Sequence, residues 1–197
     1  MKSKVELRQQ IKQKLSDLGR TSPREFLPLL QNLRNLKELW AVQTLAAYLP
    51  IGAEPDLRTF LKEWLLDKRR LLLPRYDSSA GCYELAAVSD IERDTVRGYY
   101  GILEPSPLLY KVILSADTPG AWLVPGLAFS RTGTRLGRGA GYYDRLLAPS
   151  TALKIGVCLD CQLMTGIPLQ KHDVKMHCIV TETRIVKCQE LAGELAQ

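Results

Sequence analysis

Short apolar runs separated by helix-length segments are the feature that most constrains this chain. Residues 45–49, 71–74, 122–125, 155–159 and 178–181 each read as a buried strand, and Pro50 and Pro74 close the first two. Strands covered on both faces appear as nearly continuous apolar runs, as these do. Residues 56–66 between the first two runs read as a helix with Asp56 at its start. Strands that alternate with helical segments predict an α/β fold, with a largely parallel sheet flanked by helices. Ligands of such sheets bind beyond the carboxyl ends of the strands.

Two helices are expected ahead of the sheet. Leu7, Ile11, Leu15 and Leu18 recur at helical spacing, and Gly19 breaks the pattern. Ser22 can cap a new helix, with Pro23 at its first position and Glu25 completing a capping box. Leu29, Leu30, Leu33 and Leu36 continue it. Residues 1–38 thus read as a helical pair packed on the sheet. Residues 184–197 read as a short polar tail, frayed or forming a small appended helix.

The chain has 197 residues, enough for one large domain. No run approaches the ~18 consecutive apolar residues that a membrane helix needs. The start of the chain has no apolar signal-peptide core, so a cytoplasmic address is expected. Five cysteines, an odd number without framework spacing, point to free thiols in a reducing compartment. The formal net charge of +6 favours anionic partners, which include nucleotides and polycarboxylates as well as nucleic acid.

Chemistry concentrates between Gly133 and Arg145. Gly137, Gly139 and Gly141 alternate with Arg138 and Ala140, and Tyr142, Tyr143, Asp144 and Arg145 follow directly. Alternating glycines let a ligand approach the backbone amides, which can form an anion-binding nest. A helix starting near Tyr142 would aim its positive end at the same anion. Arg135, Arg138 and Arg145 add charge around the loop. The pattern is neither a P-loop nor GxGxxG. From its glycines and arginines alone it reads equally as a flexible surface loop. The carboxylate, cation and two aromatics that follow favour the cradle.

Val124, Pro125, Gly126, Phe129 and Gly133, followed by the unbroken RLGRGAGYYDR of residues 135–145, closely resemble the signature of 5-formyltetrahydrofolate cyclo-ligases. These are also called methenyltetrahydrofolate synthetases. The resemblance extends to Lys4 and Arg8, to residues 48–54 ending in Glu54, and to Pro74–Arg75 and Glu104–Pro105. In the C-terminal third it includes Gln162, Pro168, His172–Asp173 and Thr181–Glu182. It is weakest over residues 77–97.

The resemblance implies a single Rossmann-like α/β domain, of the type shared with certain sugar-phosphate isomerases and CoA transferases. It implies an ATP- and Mg²⁺-dependent closure of a reduced folate, with no nucleic acid or membrane partner and a monomeric enzyme. It implies ATP contacts from Lys4, Arg8, Arg135, Leu136, Gly137, Arg138, Gly139, Ala140, Gly141, Tyr142, Tyr143 and Arg145. Folate contacts are implied for Leu49, Glu54, Arg138, Gly139, Ala140, Gly141 and Tyr142. Asp144 and Asp173 would bind the metal, and Arg145, Lys4 and Asp144 would be the catalytic set. By residue type alone Lys4 and Arg8 also suit a solvated basic face, Glu54 and Asp144 helix starts, and Asp173 an ordinary loop.

Two positions depart from the family pattern. Ala140 stands where lysine or glycine is usual, and His177 stands where a second aspartate follows the His–Asp pair. Cys158 and Cys161 form a CxxC without a second pair, which suits buried thiols better than zinc. Two rival readings are a nucleic-acid binder, suggested by the basic charge, and an enzyme of the same scaffold acting on another substrate.

Overall fold

The computed structural model describes residues 2–17, 23–98, 101–113 and 119–188. At its centre is an eight-stranded sheet. Five strands run parallel: β1 (Thr44–Ala46), β2 (Arg70–Asp77), β7 (Ala121–Pro125), β10 (Leu153–Val157) and β12 (Cys178–Val180). Antiparallel strands close the two sides. β3 (Cys82–Val88) and β6 (Lys111–Val112) extend from β2, and β13 (Ile185–Lys187) pairs with β12. The spatial order is β13-β12-β10-β7-β1-β2-β3-β6. This is the expected α/β architecture with a largely parallel core.

Strand alternation divides the core into two layers. Leu45, Leu71, Leu73, Leu123, Ile155 and Val180 point to one side. There they meet α2 (Leu27–Asn35), α3 (Lys37–Trp40) and α4 (Arg58–Leu66) through Leu29, Leu33, Leu39, Phe60, Leu61 and Trp64. Ala46, Leu72, Trp122, Val124 and Ile179 point to the other side, toward Leu146 and Leu147 of α6 (Tyr142–Leu147). All five residues of β7 are buried, which explains its uninterrupted apolar run.

Beyond this second layer lies a three-stranded sheet of β8 (Ala128–Ser130), β9 (Arg135–Leu136) and β11 (Leu163–Met164). Phe129 of β8 joins it to the central sheet. The ring is fully buried, and a Cβ on Gly156 of β10 would lie 2.6 Å from its Cε1. A Cβ on Gly126 would lie 2.8 Å from its Cζ. A short ribbon, β4 (Thr95–Arg97) with β5 (Leu103–Pro105), and α5 (Ile91–Asp94) complete the described elements. No helix among them is long and apolar enough to cross a membrane.

Several boundaries differ from expectation. β1 stops at Ala46 instead of Leu49, although the amide of Ala47 still donates to the carbonyl of Leu72. β2 runs through Pro74 to Asp77 instead of stopping there. Pro74 is two residues after Leu72, so its nitrogen faces the side of β1, beyond that strand's end. Its missing N–H therefore breaks no ladder bond.

The expected helical pair is divided between different cores. α1 (Lys4–Asp17) buries Leu7 and Ile11 against Leu127, Leu136 and Ile167 beside the small sheet, whereas α2 joins the layer opposite. The proposed break at Gly19 and cap at Ser22 lie outside the described residues. The expected polar tail begins with β13, because Ile185 and Val186 complete the sheet edge.

Gly156→Ala is expected to destabilise the protein by about 1–3 kcal/mol, since the added methyl overpacks against a fully buried ring. Phe129→Leu introduced with it should restore part of the loss. Urea denaturation of the two variants checks this, and a Gly156→Ala protein as stable as the parent would show that the ring is not held there.

Candidate active site

The carboxyl ends of β1, β2 and β7 open into a cleft of about 1130 Å³, part of it open to solvent. Leu49, Pro74 and Pro125 bring these ends into its lining. α1 supplies Lys4 and Arg8, held in place by Leu7 and Ile11 on the same helical stripe. The turn between β9 and α6 supplies residues 137–141, and Asp173 comes from the loop before β12. Segments more than a hundred residues apart in sequence thus meet in one place.

The glycine-rich turn has the backbone its composition predicts. Gly139 adopts φ 120° and Gly141 φ 67°, conformations that side-chain-bearing residues rarely take. Gly141 is also the residue from which α6 starts. Arg8 secures the turn from the side, its Nε donating to the carbonyl of Gly137 at 2.9 Å.

The three carboxylates expected in the site are each paired with a cation from the same set. Lys4 Nζ donates to Asp173 Oδ1 at 2.7 Å and to Gln170 Oε1 at 3.2 Å. Arg135 Nη2 donates to Asp144 Oδ2 at 3.0 Å. Arg138 Nη2 donates to Glu54 Oε1 at 2.9 Å and to the Ile51 carbonyl at 3.0 Å. The Arg135 guanidinium is buried and lies 5.5 Å from the Tyr143 ring centroid. Its Nε is buried without a hydrogen-bond partner among the described residues.

Burial pushes the Glu54 carboxyl up from its ordinary pKa, and Arg138 and the Ile51 amide partly oppose this. The Glu54 side chain is only 9% exposed. Burial, and then the nearby Glu54 charge, also push the Tyr143 phenol up. Tyr48, buried in the cleft wall, donates to the Pro55 carbonyl at 3.1 Å. The Tyr142 and Tyr83 rings meet edge to face with centroids 4.9 Å apart, giving the cleft an aromatic wall.

Two of the expected site residues stand apart from the cleft lining. Leu136 is fully buried, its side chain in the cluster with Leu7 and Ile11, so it meets the cleft only through its backbone neighbours. Arg145 lies outside the lining. Its guanidinium is 5.0 Å from the Tyr142 ring centroid and donates to the Ala140 carbonyl, bracing the turn from outside. His177 is also outside, its Nδ1 accepting from the Lys154 amide at 2.8 Å. Cys158 is buried in the second apolar layer, and burial raises its thiol pKa well above the ordinary value.

Sequence reasoning missed Leu73, Tyr83, Ile102, Leu103 and Gln170, which also line the cleft. Tyr83 had one available signal: it lies two residues before Leu85, on the same face of β3. Leu73 had another, its place at the carboxyl end expected for the 71–74 strand, and Ile102, Leu103 and Gln170 carried none.

The arrangement suits an anionic ligand at the turn and a flat, hydrogen-bonding ring between Glu54 and the tyrosines. Known proteins resemble this chain in sequence and in fold. The 5-formyltetrahydrofolate cyclo-ligase family model matches residues 1–182. A 5-formyltetrahydrofolate cyclo-ligase of Mycolicibacterium smegmatis is 39% identical over 148 residues, covering 72% of this chain and 75% of that one. The structure of 5,10-methenyltetrahydrofolate synthetase from Aquifex aeolicus superposes with a TM-score of 0.80 at 30% identity, over 98% of this chain and 96% of that one. A synthetase of the same name from Mycoplasma pneumoniae, 24% identical with a TM-score of 0.68 over 95% and 100% of the two chains, shares the fold. With the family model spanning nearly the whole chain and the cradle, carboxylates and aromatic wall in one cleft, this protein belongs to the 5-formyltetrahydrofolate cyclo-ligase family.

Proposed function

We propose that this protein uses Mg-ATP to convert 5-formyltetrahydrofolate into 5,10-methenyltetrahydrofolate, releasing ADP and phosphate. One observation carries the reading: a single cleft holds a buried carboxylate and aromatic wall beside a glycine-rich turn bordered by Lys4, Arg8 and Arg135. Glu54 accepts hydrogen bonds from the pterin's amino and ring N–H groups. Leu49 provides apolar wall, and Tyr142 a flat surface against the ring.

Lys4, Arg8, Arg135, Arg138 and the amides of residues 137–141 bind the ATP phosphates, with Tyr142 and Tyr143 beside them. Arg suits forked phosphate contacts and Lys a point charge. The buried Arg135 Nε without a partner supports an acceptor such as a phosphate oxygen at this position. Asp144 and Asp173 would hold Mg²⁺. Two carboxylates lining one cleft beside a phosphate cradle fit an ion that takes one or two carboxylates together with phosphates and water. When bound, Mg²⁺ supplies charge neutralisation on the phosphate oxygens.

The formyl oxygen attacks the γ-phosphorus, an O–P bond forms, and the bond to ADP breaks. Lys4 and the turn amides stabilise the negative charge that develops, and Arg145 braces the turn that presents them. N10 then attacks the phosphorylated formyl carbon and loses its proton. The five-membered ring closes as the carbon–oxygen bond to phosphate breaks. The chain positions its substrates and neutralises charge without a covalent nucleophile.

Purified protein with 5-formyltetrahydrofolate, Mg²⁺ and ATP should generate the methenyltetrahydrofolate absorbance, and omission of ATP should abolish it. Lys4→Ala should lower kcat/KM by roughly 10²–10³, the usual effect of losing a charge-stabilising donor. Asp144→Ala should abolish turnover. An ATP-independent product, or full activity in Asp144→Ala, would refute the mechanism.

Glu54 also predicts a pH dependence of stability. Its folded pKa is raised, so the folded state binds the proton more tightly than the unfolded chain. The resulting stability is fully present below the unfolded value of about 4.3 and is lost as pH rises through the raised folded pKa. Glu54→Gln should therefore gain stability over the parent across this window and level off above it. Urea midpoints of both proteins between pH 4 and 8 measure the difference, and a gap that stays constant with pH would contradict the assignment.

A further inference from the structure

We propose that Arg138 is a switch that passes between Glu54 and the phosphates of bound nucleotide, so that nucleotide and folate each promote binding of the other. The inference rests on the cyclo-ligase reading of the cleft and goes beyond it by coupling the two ligand positions through one side chain.

Both oxygens of Glu54 are occupied. Oε1 accepts from Arg138 Nη2 at 2.9 Å and from its Nε at 3.3 Å, and Oε2 accepts from the Ile51 amide at 3.0 Å. The carboxylate is buried and fixed. The arginine side chain is 48% exposed and projects from a turn with Gly137 and Gly139 on either side. Of the two partners, only the arginine has room to move.

A carboxylate offers about four acceptor positions and three are taken, both of those on Oε1 by the guanidinium, so a ring that presents two N–H donors side by side, one to each oxygen, must displace Arg138 from Oε1. Once displaced, Arg138 keeps only its bond to the Ile51 carbonyl. Without another anion nearby, folate binding therefore costs a charge-assisted pair. With phosphate in the adjacent turn, Arg138 exchanges one anion for another and Glu54 gains neutral N–H donors in its place. Coupling of this kind is reciprocal, so bound folate releases Arg138 to the phosphates to the same extent. The other two pairs do not connect the two positions, because Lys4–Asp173 and Arg135–Asp144 both join a phosphate-binding cation to a metal-binding carboxylate.

Calorimetric titration of 5-formyltetrahydrofolate into the full chain tests this, with and without Mg²⁺ and a non-hydrolysable β,γ-imido ATP analogue. In the parent protein the analogue should lower the folate Kd about fivefold or more. In Arg138→Ala the folate should bind with the same Kd in either condition, close to that of the nucleotide-loaded parent. Arg138→Lys should retain part of the coupling. Both ligands binding independently to the parent, or coupling that survives in Arg138→Ala, would overturn the switch and leave the cyclo-ligase reading standing. A protein that melts normally but binds no folate in any condition would overturn the site reading and the switch with it.

Discussion

Phe129 leaves β8 with its ring fully buried, lying against Gly126 and Gly156 where neither has a side chain to hold it off. Interiors packed to crystal-like density leave such a ring few alternative positions, so β8 has a fixed place against β7 and β10. β9 is hydrogen-bonded to β8 and ends at Leu136, one residue before the glycine-rich turn. The place of the turn therefore follows from the packing of an apolar ring, and its own few contacts can be left to ligands. α1 adds a second support, since Leu7 and Ile11 pack around Leu136 while Lys4 and Arg8 on the same stripe reach the cleft.

The charge of the cleft is arranged differently from what a basic chain suggests. A net +6 invites the picture of an open positive field. In the structure Lys4, Arg135 and Arg138 each hold a carboxylate of the same cleft. Buried charges are tolerated when paired, and an unpaired one is costly. A ligand that engages any of these groups must therefore exchange partners with it, which favours ligands bringing both signs of charge over those bringing one.

Much of this was legible from residues alone. The alternation of apolar runs and helical segments identified the parallel sheet, because strands buried on both faces leave an apolar record. The glycines, arginines and tyrosines of 133–145 marked the cradle, because positive φ and close backbone approach demand glycine. Boundaries were less legible. Pro74 looked like a terminator, yet β2 continues through it because its nitrogen faces a side that has already lost its partner. Ile185 and Val186 looked like part of a tail, and two β-branched residues are too short a record to distinguish an edge strand from a turn.

The sequence by itself determined the class of fold, the family and the residue types able to bind phosphate, because each depends on local pattern. Only the tertiary structure decided which of those residues share the cleft. It brought Lys4 to Asp173 and Arg138 to Glu54, turned Leu136 into the core, and set Arg145 outside as a brace. Tyr83 joined the wall from the stretch with the weakest family pattern. These choices depend on packing between segments far apart in the chain, and neither periodicity nor residue type records which distant neighbour a side chain will meet.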